Sequence, residues 1–129
     1  MDAPELDAAL ATIAASGRPF GELVRSHDLS VGLYVLAAGA TDLQSPHTED
    51  EVYYVIRGRG RIAVGDEDRA VEPGSIVFVA ADMPHTFHDI TEELVLFVAF
   101  GPAEYTHRVD HDLGHPHGSP GGRPPTTAS

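Results

Sequence analysis

The chain has 129 residues and a mass of 13.7 kDa, the size of one domain. Hydrophobic residues make up 42%, enough for a core, and 8 arginines against 20 acidic residues leave a formal charge of −12. Such a surface repels phosphate backbones and anionic headgroups, so neither nucleic acid nor a membrane is an expected partner. The chain has no cysteine, which excludes disulfides, thiolate nucleophiles, iron–sulfur clusters and Cys-containing zinc sites. It also has no lysine and no Gly-x-Ser-x-Gly elbow, which removes Schiff-base chemistry and the usual serine-hydrolase signature. The remaining catalytic vocabulary is His, Asp, Glu, Tyr, Ser, Arg and a metal ion.

In chain order, residues 4–16 carry Leu6, Leu10 and Ile13 at helical spacing, with Gly17 as the stop. From Phe20 the period becomes two. Strands are expected over 20–26 and 30–38, the second with Val31, Leu33, Val35 and Ala37 on one face, and then over 52–57, 61–64, 69–71, 75–79, 85–90 and 94–101. Turn chemistry separates them at Gly58-Arg-Gly60, Gly65-Asp66-Glu-Asp68, Pro73-Gly74 and Asp82-Met-Pro84. Eight short strands and one short helix predict a closed or sandwiched all-β fold. The acidic start, Met1-Asp-Ala-Pro-Glu-Leu-Asp, lacks the basic and apolar regions of a secretory signal, and no apolar run reaches membrane-spanning length, so a cytoplasmic protein is expected. Residues 105–129 are His/Pro/Gly-rich with little apolar content, and a disordered tail is expected there. The expected organisation is therefore a helical segment over 1–18, a β-domain over 19–104 and the tail.

Two glycine-bounded segments carry the chemistry: Gly39 to Gly58, with His47 and Glu51, and Gly74 to Asp89, with His85 and His88. Strand alternation gives Ser45, His47, Glu51, Tyr53 and Val55 one parity, and His85, Phe87 and Asp89 another shared face. His47, Glu51 and His85 can thus converge inside a barrel, whereas His88 points away. Two neutral imidazoles and a carboxylate suit Fe(II), Mn(II), Ni(II) or Zn(II). Tyr53 shares the inward parity and is the candidate catalytic acid–base residue, with core packing as the plainer alternative. Phe78, Phe87, Phe97 and Tyr34 are candidates for core or pocket wall. Arg57, Arg59 and Arg61 read as a solvated strand edge in preference to a carboxylate clamp, and Glu49 and Asp50 as a solvated loop.

The two segments resemble the two motifs of the cupin superfamily. The first family motif is G-x5-H-x-H-x3/4-E-x6-G. Gly39, Ser45, His47, Glu51 and Gly58 fit its spacing without a gap, with Ser45 in place of the first histidine. The second is G-x5-P-x-G-x2-H-x3-N. Gly74, Ala80, Asp82, His85 and Asp89 fit that spacing, with only Gly74 and His85 kept by type. The resemblance implies an all-β cupin double-stranded β-helix, or jelly-roll barrel, with a short N-terminal helix. It implies a divalent metal on His47, Glu51 and His85, with Gln44, Ser45 or water as a further weak oxygen ligand. It also implies a homodimer. The expected function is metal-dependent chemistry on a small-molecule ligand, dioxygenase-like or of the Lewis-acid isomerase, cyclase or lyase kind. The alternative is a non-catalytic small-molecule or metal-binding module.

Overall fold

The computed structural model describes residues 1–42 and 47–104. Gln44, Ser45 and the expected tail over 105–129 lie outside the described residues. Among the described residues there is one helix, α1 (Leu6–Ser16), and six strands: β1 (Phe20–Arg25), β2 (Ser30–Leu36), β3 (Asp50–Val64), β4 (Glu67–Val71), β5 (Ile76–Val79) and β6 (His85–Gly101). No helix among them is long and apolar enough to cross a membrane.

The strands join antiparallel in the order β1-β2-β6-β3-β4, with β5 paired to β3. Two pairs of expected short strands are single long ones. Residues 52–57 and 61–64 fuse into β3, and 85–90 and 94–101 fuse into β6. The expected turn at Gly58-Arg-Gly60 is therefore mid-strand. Successive register shifts between Val55 and Arg61 bend β3 as it crosses β6. The crossing needs glycine: Gly58 has φ 97°, and a Cβ there would stand 2.1 Å from the Glu93 carbonyl oxygen. Of the three arginines there, Arg61 is not at a sheet edge, because it pairs with both Ala70 and His88, whereas Arg57 and Arg59 pair only with Val95 and Glu92 of β6. Arg59 is met on the surface by Glu72 at 2.7 Å and Arg61 by Asp68 at 2.8 Å.

The sheet curls around one apolar cluster that includes Tyr34, Leu36, Tyr53, Val55, Ile62, Phe87, Leu94, Leu96 and Phe100. On β2 the inward residues are Tyr34 and Leu36, so Val31, Leu33 and Val35 take the outer face. There Leu33 pairs with Gly21, and Ile13 of α1 lies so close to Gly21 that a Cβ would sit 2.6 Å from its Cγ1. The helix thus covers one half of an apolar outer face. The same rows continue through Phe97 and Ala99 of β6 to Tyr54 and Val52 of β3, and end on Ile76 and Phe78 of β5. That half is bare: Ile76 is 69% exposed and Phe78 60%. Phe78 is therefore not core: it sits on the outward parity of a strand covered on one side only, where it lines an open surface pocket with Ile76 and Val64.

Candidate functional site

The site is built by the alternation that opens β3. His47, Glu49, Glu51, Tyr53 and Val55 are all almost fully buried, whereas Asp50, Val52 and Tyr54 are exposed. Glu49 corrects the sequence reading. It is not in a solvated loop but fully enclosed, with Oε2 accepting from the Thr48 hydroxyl and Oε1 without a hydrogen-bond partner. Its parity was the signal that could have placed it.

The second segment is tied to the first through backbone. Asp82 N–H donates to the His47 carbonyl at 2.6 Å. Asp82 (φ 64°) and Asp89 (φ 48°) both adopt the left-handed region. They stand where the family motif has Gly and Asn, and a short polar side chain such as Asp tolerates that backbone. Asp82 therefore preserves the turn that delivers His85 to the start of β6, and Asp89 keeps a left-handed backbone within that strand. Ahead of the segment 43–46, buried Asp42 accepts from the Tyr34 hydroxyl and from Phe87 N–H, both at 3.0 Å, and its carbonyl accepts from the Thr86 hydroxyl at 2.7 Å.

Glu51, Tyr53 and His85 meet directly. The Tyr53 hydroxyl donates to Glu51 Oε1 at 2.7 Å and lies 3.2 Å from His85 Nε2, which is 3.4 Å from Glu51 Oε2. His85 Nδ1 lies 2.9 Å from the Met83 carbonyl and donates to it. That contact fixes the tautomer and turns the Nε2 lone pair toward Glu51. His47 is adjacent, its ring centroid 6.2 Å from that of His85 and 5.2 Å from that of Phe100, with Nδ1 3.6 Å from Glu104 Oε2. Glu104 was not singled out in the sequence, because it lies beyond both motifs. His88 faces outward onto Asp68 at 2.6 Å.

Electrostatically, Glu51 and His85 are not an ion pair. Burial pushes the Glu51 carboxyl up to about 8, with the charges of Glu49 and Asp42 adding to it and the Tyr53 hydrogen bond opposing. Burial lowers His85, partly offset by the Met83 carbonyl. Around neutral pH the contact is a carboxylic acid beside a neutral imidazole.

The donor set suits a divalent ion by type, two imidazoles and one carboxylate. The 3.4 Å between His85 Nε2 and Glu51 Oε2 is the span of two ligands on one ion, since bonds of about 2.0–2.2 Å leave neighbouring donors roughly 3 Å apart. As they stand, however, no three His, Cys, Asp or Glu side chains among the described residues are grouped to hold a metal. Tyr53 instead reaches between Glu51 and His85.

Residues 32–101 match the family described as Cupin domain. An uncharacterized protein of Streptomyces coelicolor is 46% identical over 104 residues, covering 81% of this chain and 99% of that protein. Among solved structures, an RmlC-like cupin with a double-stranded β-helix fold from Methanocaldococcus jannaschii superposes with a TM-score of 0.61 at 18% identity, over 70% of this chain and 84% of that one. The DMSP lyase DddQ of Ruegeria pomeroyi gives a TM-score of 0.60 at 20% identity, over 64% of this chain. This chain spans only 45% of the lyase's length. At such identities the likeness is one of fold: a double-stranded β-helix, here with one N-terminal helix.

The raised Glu51 pKa has a measurable consequence in metal-free protein. Between about pH 4.5 and 8 the folded state holds a proton that the unfolded state has lost. This contribution is fully present below pH 4.5 and is lost as pH rises toward 8, at up to about 1.4 kcal/mol per pH unit. His85 acts in the opposite sense, and only below pH 6.5. Denaturant unfolding of wild type and Glu51→Gln, with chelator present, should show wild type losing stability relative to the variant as pH rises from 5 to 8. Parallel pH profiles would contradict the assignment.

Proposed function

The chain belongs to the cupin domain family, and from that premise we propose that it holds a divalent metal on His47, Glu51 and His85 and acts on a small oxygen-bearing molecule. The observation that carries this reading is the fixed His85 tautomer, with its Nε2 lone pair turned toward the buried Glu51 carboxyl group at 3.4 Å. An imidazole set this way, with a second imidazole and a phenol beside it, is arranged as a donor. A closed apolar core would be better served by hydrocarbon.

A bound ion (Fe, Mn, Ni or Zn) would supply Lewis-acid polarisation and a template for the ligand's oxygen atoms. The chain's own residues supply the proton chemistry. The Tyr53 hydroxyl lies beside both Glu51 and His85, so it can pass a proton to or from a ligand held at that centre. The apolar walls at Phe87 and Phe100 keep water from the centre. Together these favour lyase- or isomerase-type proton transfer beside a carbonyl or carboxylate. A second reading, a non-catalytic metal-binding module, is favoured by the near-complete burial of His47, Glu51 and Tyr53.

Titration of the full chain with Mn(II) or Zn(II) tests both readings. Glu51→Ala and His85→Ala should each lose one bound ion per chain relative to wild type, while His88→Ala should lose none. The histidines beyond residue 104 contribute equally to every sample. Identical stoichiometry in all four proteins would remove the site. An α-keto acid probe that binds only the metal-loaded wild type supports the small-molecule enzyme, and failure to bind supports the structural module.

We also propose that the chain forms a homodimer through the bare face of β3 and β5. Val52 pairs with Phe78 and Tyr54 with Ile76, so four exposed apolar side chains form one patch. A patch on the order of a few hundred Å² is the size at which an apolar face marks a contact surface. A second copy is the fitting occupant. Half of the chain's cationic residues (Arg57, Arg59, Arg61 and Arg69) lie along β3 and β4 among Glu67, Asp68 and Glu72. The approach of two such faces avoids the repulsion that a charge of −12 creates elsewhere. Sedimentation should show a wild-type dimer and a folded Phe78→Glu monomer. A monomeric wild type would contradict the interface.

A further inference from the structure

We infer that Glu104 is a positioning residue, which holds the His47 imidazole in the tautomer protonated at Nδ1 and so reserves Nε2 as a donor. This deepens the metal reading of the same centre and rests on it. Glu104 follows the end of β6 and lies outside the span 32–101 of the family match. Its carboxylate is 2% exposed, with Oε2 3.6 Å from His47 Nδ1. That is long for a direct hydrogen bond. With both groups removed from water, however, a carboxylate at this distance still favours the tautomer whose N–H faces it.

Contacts independent of His47 fix the acid in place. Glu104 N–H donates to the buried Ser30 hydroxyl at 2.8 Å, and its carbonyl accepts from Arg25 Nη2 at 2.7 Å. Ala103 N–H donates to the His27 carbonyl at 3.4 Å. The β1–β2 hairpin therefore carries the segment after β6 back to the mouth of the centre. The result parallels His85. Each imidazole has an acceptor on its Nδ1 side, a backbone carbonyl for His85 and a carboxylate for His47. Such partners orient metal-binding histidines and raise their basicity.

The test uses full-length protein and the tautomers of its buried imidazoles, read by ¹⁵N NMR without metal, together with zinc affinity. In wild type both His47 and His85 should be protonated at Nδ1. In Glu104→Gln, His47 should shift toward the Nε2-protonated form while His85, held by Met83, stays unchanged as the internal control. Zinc affinity should fall roughly 10–100-fold. Retention of the wild-type His47 tautomer, or unaltered zinc affinity, would overturn the inference. If Glu104→Gln does not fold, Ser30→Ala releases the same anchor and should move His47 in the same direction, and no movement would count equally against it. A wild type that binds no zinc while its His47 still responds to Glu104→Gln would sink the metal reading and leave the positioning role standing.

Discussion

The contact on which the structure turns is the meeting of Glu51, Tyr53 and His85 inside the barrel. A carboxyl group without water costs several kcal/mol when charged. Here it stays neutral instead, at the expense of a pKa pushed up to about 8. Everything around it serves to hold that arrangement: the alternation of β3, the left-handed turn at Asp82, the Met83 carbonyl on His85 and the Asp42 clamp between β2 and β6. Proteins keep such groups in an apolar interior where chemistry needs them. The perturbed Glu51 carboxyl beside an oriented imidazole is such a group, and the cupin fold by itself specifies no reaction.

The long strands explain how the contact is reached. β3 and β6 each run through the full height of the fold and cross, so that the opening of β3 and the opening of β6 supply both halves of the centre. The crossing is possible because Gly58 lets the backbones approach. On the outer side of the same sheet the rows from β2 through β6 and β3 to β5 are apolar, yet α1 reaches only as far as the β1–β2 half. Inner and outer faces of β3 thus carry separate roles, the proposed metal centre on one and the proposed dimer contact on the other.

Much of this was legible in the residues. The resemblance of Gly39, His47, Glu51 and Gly58 and of Gly74 and His85 to the two cupin motifs implied the barrel, and period-two alternation put His47, Glu51 and Tyr53 on one inward face. Strand count was not legible. Glycine pairs usually mark turns, and nothing local distinguishes Gly58 and Gly60 in a crossing strand from the same residues in a loop. Glu49 was misread because an acidic run, Glu49-Asp50-Glu51, ordinarily means solvent, although parity alone put Glu49 inside. Phe78 stayed open between core and pocket wall because an aromatic residue on a strand suits either, and its exposure follows from the absence of a covering element. Glu104 had no local signal. Its place depends on Arg25 and Ser30, more than seventy residues earlier in the chain.

The central claim is that this buried cluster is a metal centre. Anomalous diffraction from crystals grown with Mn(II) or Zn(II) tests it most directly. The account predicts one strong peak per chain bounded by His47, Glu51 and His85, with the Tyr53 hydroxyl withdrawn from His85 Nε2. Crystals with no peak there, and with the Tyr53 hydroxyl still bridging Glu51 and His85, would contradict it.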